Sequence, residues 1–491
     1  MTWREYHEYS KHSVEKLRRN RHYLDWANMP DPFRHYEGVP VLDLPADPPV
    51  PETPALEVLA GKIGTTLSRD GPAFLSQLLF YSASISASKR APSTGATYAL
   101  RVNPSSGNLH PTEFHFCSRG LVAWPDGLYH YRPSSHTAEQ RAIGDFGGKL
   151  VSTDDPLVFV LTSIAWREAW KYKDRAYRYC LHDIGHAWQA LALAARAMGC
   201  EGFAVGQFED DKVAKSCLLN EDEWPMLIVQ FNGSSLPQTL PSPCEPHLLG
   251  GQPNRLSGEQ FAYPSIEKIH VSTKLLVEPS SRDVGRQSGE HAGNALPLPV
   301  SSDRTLGEVV RTRRSALDFR GGTESISLPQ LATLLASTRE PLCSDFAERP
   351  LVQLYLYVHR VGGLVPGVYR YWPGPELVEL IKAGDQRITA AALSLGQDLA
   401  GNACVAFSMI GDFESATRTF GDRGYRYVHF EAGALGQRMY LAAEALGLRA
   451  TGIGAFFDDD VHRYLGLAPE QGQVVYHFAI GYPVRDPRLE A

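Results

Sequence analysis

Two adjacent arginines followed by a serine, Arg313-Arg314-Ser315, are the strongest candidate for an anion site. Each guanidinium group presents a planar fork of N–H donors that matches the oxygens of a phosphate, and the serine hydroxyl adds another donor. A basic tripeptide is more often a solvated surface patch. This one lies near the end of a short predicted helix, Leu306 to Val310, and has no equivalent in the other copy of the repeat described below, so we expect it to bind a phosphate group.

A polar loop, Asn103 to Pro111, is the second candidate. Its proline, glycine and asparagine residues are typical of a tight turn with free backbone donors and short side chains. Such a loop can approach a planar ligand closely and bond to its edge, although an ordinary turn has the same composition. The residues that we expect to face the ligand are Pro104, Ser105, Ser106 and Asn108.

Lys171 and Tyr172 are candidates for proton transfer, and two glycines and an arginine are candidates for ligand binding. A lysine beside a tyrosine can exchange protons when both are partly removed from water; a surface lysine beside a packing tyrosine is the alternative. Gly452 and Gly454 permit a close approach of backbone to ligand, but no third glycine completes a dinucleotide-binding fingerprint. Arg485 can add positive charge near the phosphate.

His182 and His186 are spaced to lie on one side of a helix, as a pair of metal ligands would be. The sequence offers no convincing third ligand, and the pair lacks the glutamate of the HExxH motif. We therefore predict that the protein holds no metal there.

These candidates belong to a sequence that is written twice. Tyr177-Arg178-Tyr179 recurs as Tyr425-Arg426-Tyr427, 248 residues later. Three glycines recur at the same spacing, and a Gly-x-Tyr-x-Tyr strand at 127–131 recurs at 367–371. An internal repeat of this length predicts two units of one fold.

The repeated patterns predict an α+β fold, a central and largely antiparallel sheet with flanking helices in each copy. We assign a leader to residues 1–49, the first copy to 50–235, a linker rich in Pro, Ser and Gly to 236–302, and the second copy to 303–491. The arginine pair lies only in the second copy. The polar loop and the Lys-Tyr pair lie only in the first, and we find no counterpart of the loop between Glu340 and Glu348.

Composition excludes several classes of function. The charge balance of 48 basic and 55 acidic side chains, a net −7, favours neither nucleic acid nor an anionic membrane. No apolar run is long enough to span a bilayer, and the polar start of the sequence shows no signal peptide. Seven cysteines without a CxxC pair indicate reduced thiols and a cytoplasmic location.

Together these motifs resemble the FMN-dependent nitroreductase superfamily, and most closely its azoline-oxidase branch, the SagB-type dehydrogenases. The Arg-Arg-Ser signature, the Pro-Ser-Ser-Gly-Asn loop, the Lys-Tyr pair and the Tyr-Arg-Tyr run carry the resemblance. Members of the superfamily are usually dimers with two FMN sites at the interface, each built from both subunits. The resemblance implies that this chain is an intramolecular pseudo-dimer, with further oligomerisation left open.

Carried onto this sequence, the resemblance implies one FMN between the two copies. The second copy then supplies Arg313, Arg314, Ser315, Gly452, Gly454 and Arg485; the first supplies Pro104, Ser105, Ser106, Asn108 and the catalytic pair Lys171 and Tyr172. Lys171 or Tyr172 would remove a carbon-bound proton while the flavin takes a hydride, which oxidises an azoline to an azole in a peptide or a small heterocyclic substrate. The mirror-related site would lack both the phosphate clamp and the loop.

Two other functions stay open at this point. The chain can be a reductase that takes hydride from NAD(P)H and passes it to a nitroaromatic compound or a quinone, in which case the Lys-Tyr pair matters little. It can also be a flavin-binding protein without turnover. The sequence does not identify the substrate or the electron acceptor.

Overall fold

The computed structural model describes residues 1–19, 23–90, 95–151, 153–233, 235–240, 245–274 and 292–489. Two main sheets dominate it, one in each copy, and strands of both are buried along nearly their whole length. Among the described residues, no helix has both the length and the apolar character needed to cross a membrane.

The strands, in chain order, are β1 (Tyr36–Glu37), β2 (Val41–Asp43), β3 (Ile85–Arg90), β4 (Thr97–Arg101), β5 (Thr112–Ser118), β6 (Gly127–Arg132), β7 (Thr137–Ile143), β8 (Leu157–Ser163), β9 (Glu201–Val205), β10 (Trp224–Asn232), β11 (His247–Leu248), β12 (Gln252–Pro253), β13 (Asn294–Ala295), β14 (Ile326–Ser327), β15 (Val352–Val358), β16 (Val361–Gly362), β17 (Gly367–Trp372), β18 (Leu377–Ala383), β19 (Val405–Gly411), β20 (Arg449–Ile453) and β21 (Gln473–Gly481).

The α-helices are α1 (Trp3–Ser10), α2 (Val14–Arg19), α3 (Ala55–Leu59), α4 (Gly71–Phe80), α5 (Gly147–Leu150), α6 (Ala165–Tyr172), α7 (Ala176–Ala197), α8 (Asp210–Ser216), α9 (Pro264–Ser272), α10 (Leu306–Thr312), α11 (Leu328–Ala336), α12 (Arg387–Leu393), α13 (Asp398–Asn402), α14 (Phe413–Phe420), α15 (Gly424–Ala445) and α16 (Asp458–Leu465).

The two main sheets have the same strand order. In the first copy the order is β11-β7-β6-β5-β8-β10-β9, with β2 also on β7, and in the second it is β13-β18-β17-β15-β19-β21-β20. Every pairing within these two sheets is antiparallel. The predicted α+β fold with two repeated antiparallel units is therefore confirmed, and the strand order adds what the sequence pattern left open.

The long helices α7 and α15 cross where the repeated glycines meet. A Cβ atom on Gly185 would lie 2.1 Å from the Phe430 carbonyl oxygen, and one on Gly433 would lie 2.2 Å from that of His182. The two backbones therefore touch at equivalent positions, which only glycine permits at such separations. The crossing marks a pseudo-twofold axis between the copies.

Two reciprocal ion clusters, which we call the Arg-Asp triads, flank this axis. Arg178 and Arg175 bond to Asp458 at 2.7 and 3.0 Å, and Arg426 and Arg423 bond to Asp210 at 2.7 and 2.5 Å. All six side chains are at most 3% exposed. Each arginine pair comes from one copy and its aspartate from the other.

A short helix covers each triad. Helix α1 of the predicted leader contacts the first, where Arg178 donates to the Ser10 hydroxyl at 2.9 Å. Helix α9 leads to the second, where Arg426 donates to the Thr273 hydroxyl at 2.9 Å. Helix α9 lies in the segment predicted as a linker, of which residues 241–244 and 275–291 are outside the described part of the chain.

Candidate active site

The arginine clamp of the second copy and the polar loop of the first line one cavity of about 330 Å³ at the interface. Of the residues predicted from the sequence, those in the lining are Pro104, Ser105, Ser106, Asn108, Tyr172, Arg313, Arg314, Ser315, Gly452 and Gly454. The tertiary structure thus brings together segments that are more than 200 residues apart in the chain.

Arg313 enters the cavity from the end of α10, whose start is fixed by a capping box between Thr305 and Glu308. Its guanidinium group donates to the carbonyl oxygens of Val102 at 3.1 Å and Arg101 at 3.3 Å, in the first copy. The third nitrogen, Nη1, is buried and has no hydrogen-bond partner among the described residues. A buried donor without a partner is costly, and a bound anion would satisfy it.

Arg314 adds a second positive charge beside the first. Its guanidinium group donates to the Ser86 hydroxyl at 3.1 Å and to the Ser86 carbonyl at 2.8 Å. Burial, followed by the nearby charges of Arg313, Arg449 and Arg311, lowers the pKa of Arg314 to about 10. Burial disfavours the charged guanidinium group, and the three neighbouring arginines add like-charge repulsion, so this part of the cavity lining is rich in positive charge.

Ser315 and the two glycines form the wall next to the clamp. The Ser315 and Tyr440 hydroxyls lie 2.9 Å apart, and Gly452 N donates to the Tyr440 hydroxyl at 2.8 Å. A Cβ atom on Gly452 would lie 1.9 Å from the Tyr476 hydroxyl, and one on Gly454 would lie 2.2 Å from the Tyr179 ring. Both positions therefore require glycine because tyrosine rings occupy the space of a side chain.

Most side-chain hydrogen bonds of the polar loop stabilise the conformation of the loop itself. The Ser105 hydroxyl accepts from His110 N at 2.8 Å, and the Asn108 amide donates to the Ala99 carbonyl at 3.0 Å. Ser106 N and the Ser106 hydroxyl each lie 3.2 Å from Asp183 Oδ1. The loop backbone, with positive φ at Gly107, Asn108 and His110, is held rigidly at the edge of the cavity.

Lys171 and Tyr172 lie against this loop. A Cβ atom on Gly107 would be 2.7 Å from the Tyr172 hydroxyl and 3.1 Å from Lys171 Nζ. Tyr172 lines the cavity, whereas Lys171 stands directly behind Gly107 and is not part of the lining. Burial, together with Glu168, Tyr179 and Asp183, raises the pKa of the Tyr172 phenol, which is therefore neutral near pH 7.

Two buried acids stand beside the Lys-Tyr pair. Burial raises the pKa of Asp183 to about 7, and the loop serines offset part of this effect. Glu168 lies one helical turn before Lys171 and Tyr172; both of its carboxylate oxygens are buried without a partner among the described residues. Burial, and then Asp183, raises the Glu168 pKa, whereas Lys171 lowers it.

Arg485 is the predicted residue that the structure places elsewhere. Its side chain is exposed, and it is not among the residues that line the cavity. Its neighbour Asp486 instead bonds to Lys89 at 3.0 Å. Lys89 lies in the hairpin β3–β4 and does line the cavity, so it brings the positive charge that we had expected from Arg485.

Several lining residues were not predicted as site residues. They are Lys89, Tyr179, Asp183, His186, Gln397, Tyr440 and Tyr476. Tyr179 and Asp183 stand in or beside the repeated Tyr-Arg-Tyr run, whose position was a signal. Tyr440 and Tyr476 gave no such signal, because their positions fit an ordinary helix and an ordinary strand. His186 Nε2 lies 3.1 Å from the Tyr476 hydroxyl.

The position related to this cavity by the pseudo-twofold axis is occupied by different residues. The prediction that the second copy lacks a counterpart of the polar loop is wrong, because residues 343–350 precede β15 as residues 103–110 precede β5. The spacing is kept while every residue type differs, which is why a comparison of residue types missed it. This segment fills the mirror-related position, where the Phe346 ring stacks on Tyr427 at 4.2 Å.

Comparison with known proteins supports this architecture. The Nitroreductase family matches residues 87–233 and 310–482, more than half of the chain. The "Putative nitroreductase MJ1384" of Methanocaldococcus jannaschii is 30% identical over 182 residues, which cover 35% of this chain and 89% of that protein.

Two further similarities extend the comparison. The Microcin B17-processing protein McbC of Escherichia coli is 31% identical over 146 residues, 27% of this chain and 54% of that protein. The alignment thus spans about half the length of that relative. A solved structure from Anabaena variabilis, described as a "putative nitroreductase", is 27% identical with a TM-score of 0.78, covering 98% of this chain and 99% of that one.

Proposed function

This chain belongs to the nitroreductase family of oxidoreductases, and we propose that it is an FMN-dependent dehydrogenase of the azoline-to-azole type. Its substrate would be a peptide or a small heterocyclic compound, bound against one FMN between the two copies. One observation carries the proposal: the clamp of the second copy, and the loop and Tyr172 of the first, line a single cavity, with Lys171 directly behind the loop. The similarity to a microcin-processing protein supports the azoline branch.

The residues present fit FMN at both ends of the cavity. Arg313, Arg314 and Ser315 would hold the phosphate, and the unpartnered Nη1 of Arg313 supplies a buried donor for it. Gly454 N and Ala455 N, which donate to no other described residue, would meet the polar edge of the ring. The rings of Tyr179 and Tyr476 pack directly against Gly454 and Gly452 and line the same cavity.

FMN, when bound, supplies a two-electron acceptor for a hydride. The chain supplies the proton acceptor, because turning the C–C single bond of an azoline ring into the C=C bond of an azole removes a proton as well as a hydride. That proton would pass to the uncharged form of Lys171 Nζ through the neutral Tyr172 hydroxyl, which gives up its own proton as it accepts one, and the rigid loop around Gly107 would hold the substrate against Tyr172. Burial raises the pKa of Glu168, which disfavours its carboxylate form beside Lys171.

Flavin stoichiometry and anaerobic reduction test the proposal. We expect one FMN per purified chain, and reduction of that flavin by a thiazoline-containing peptide without NAD(P)H. Lys171→Ala and Tyr172→Phe should each slow this reduction by about 10²–10⁴-fold, the usual worth of a general base. Lys173→Ala, two residues away from Lys171 in the chain, is the matched control and should leave the rate unchanged.

The results separate the three functions. Reduction by NAD(P)H alone, insensitive to both substitutions, would favour the nitro or quinone reductase that the similarity to MJ1384 makes the second candidate. A bound flavin that neither donor reduces would favour a binding protein without turnover. Two flavins per chain would contradict a single composite site.

A further inference from the structure

The loop at residues 343–350 occupies the second copy's version of the polar loop. An acidic side chain that contacts each loop shows that the two loops are equivalent. Asp183 accepts from Ser106 of the first loop, and its repeat-equivalent, Glu431, accepts from Leu351 N and Val352 N at 2.9 Å each. Counted back from the strands, Phe346 stands where the first copy has Ser106.

The Phe346 ring lies where the first site has its cavity. It stacks on Tyr427 at 4.2 Å with an interplanar angle of 11°, and Tyr427 is the equivalent of the lining residue Tyr179. A Cβ atom on Gly206, the equivalent of Gly454, would lie 2.6 Å from the Phe346 ring. A planar ring is therefore buried between the same repeated elements that surround the open cavity.

Asp345 adds polar contacts to this stacking. Its carboxylate accepts from Gly206 N at 2.7 Å and from Gln207 N at 3.1 Å. The equivalent donors of the first site are Gly454 N and Ala455 N, which are without an acceptor among the described residues. The second site thus contains both an aromatic ring and an acceptor for the backbone donors.

We propose that Asp345 and Phe346 are an internal ligand of a second flavin-type site, and that removing them recreates a site for an uncharged planar heteroaromatic molecule. The inference rests on the proposed function of the first cavity. The Asp345 carboxylate takes the place of a ring-edge acceptor, and the Phe346 ring takes the place of the flat ring system.

The recreated site would not hold a phosphate. Pro54, just before α3, forms a β-bridge with Thr305, just before α10. With these two residues taken as equivalent, Lys62, Ile63 and Gly64 occupy the positions of the clamp residues in the first copy. Lys62 is ion-paired with Glu57, and its side chain is 58% exposed. The ligand class is therefore a bare tricyclic ring such as lumiflavin, not FMN.

The test uses the full chain saturated with FMN and titrated with lumiflavin, followed by equilibrium dialysis and by quenching of lumiflavin fluorescence. The variant is Asp345→Ser with Phe346→Ser, which copies Ser105 and Ser106 into the second loop. We expect wild type to take up no lumiflavin, and the variant to bind one equivalent at least tenfold more tightly than any wild-type binding. Phe346→Leu, which fills much of the space without a ring, should bind little.

Phe159→Ala is the matched control, since it removes another fully buried ring, from β8, away from these donors. Equal lumiflavin binding by this control would overturn the proposal, as would no binding by a double-serine variant that retains its FMN. The two proposals fail separately: wild type without FMN but a lumiflavin-binding variant would contradict only the proposed function. If the double variant does not fold, Phe346→Ala alone replaces it with the same expected outcome.

Discussion

The two sides of the interface are built from equivalent elements and have opposite contents. On one side, short serines and Gly107 leave a cavity of about 330 Å³, where one guanidinium nitrogen of Arg313 has no partner in the described part of the chain. On the other, Phe346 fills the equivalent space and Asp345 satisfies the equivalent backbone donors. A few side chains in one loop therefore separate a candidate binding site from a packed core.

The repeated residues perform the tasks that both sides share. Gly185 and Gly433 allow the helices to cross, and the arginines of the Tyr-Arg-Tyr runs bind aspartates of the opposite copy. The residues that differ lie at the ends of the cavity. The two copies have the same residues where these hold the copies together, and different residues where equal ones would have formed a second site.

Replacing both clamp arginines should give the largest difference between equivalent substitutions in the two copies. We expect Arg313→Ala with Arg314→Ala to weaken FMN binding by about 3–6 kcal/mol, since two charge-assisted contacts at about 1.5–3 kcal/mol each are removed. Equilibrium dialysis of FMN measures this change. Lys62→Ala with Ile63→Ala, the equivalent positions of the first copy, should have no measurable effect, and an equal loss there would contradict the assignment of the clamp to one side.

Removal of either triad aspartate should be costly and nearly symmetric. Asp458→Ala and Asp210→Ala each leave two buried guanidinium groups unpaired, which typically destabilises a protein by about 3–5 kcal/mol. Denaturant unfolding of the two variants, each compared with wild type, gives the values. A small loss for one aspartate and a large loss for the other would show that the two triads are not equivalent in energy.

The two loops should respond very differently to truncation. Phe346→Ala removes a buried aromatic ring and should lower the free energy of unfolding by about 3–5 kcal/mol. Ser106→Ala removes one hydrogen bond to Asp183 and should cost about 1 kcal/mol. Thermal and denaturant unfolding of both variants test this difference, and equal costs would contradict the distinction between a filled and an open side.

The smallest effect concerns acid stability. Burial raises the pKa of Asp210, but Arg426 and Arg423 outweigh it and lower the pKa to about 2. Because the folded pKa lies below the unfolded value, this stabilisation is present above about pH 4 and is lost as the pH falls toward 2, a change of about 1–3 kcal/mol. Unfolding curves at pH 3 and pH 5 should differ less for Asp210→Asn than for wild type.

Much of this molecule follows from its sequence. The repeat, with its offset of 248 residues, predicts two units of one fold, and the apolar pattern predicts strands at 352–360 and 404–410, which the structure has at Val352–Val358 and Val405–Gly411. The apolar spacing predicts the first long helix at 182–198, but α7 begins at Ala176, because Tyr177, Arg178 and Tyr179 are buried against the other copy. Local patterns cannot record burial against a distant segment.

The candidate site divides in the same way. Residue type and spacing identified the arginine clamp, the polar loop and the Lys-Tyr pair, since donor forks, turn residues and proton carriers are local features. Only the tertiary structure placed Lys89 rather than Arg485 at the cavity and left the Glu168 oxygens without a partner among the residues it describes. Only the tertiary structure shows that Phe346 fills the equivalent space on the second side of the interface. These outcomes depend on which surfaces meet when two copies of a fold pack together, and contacts between residues hundreds of positions apart set them.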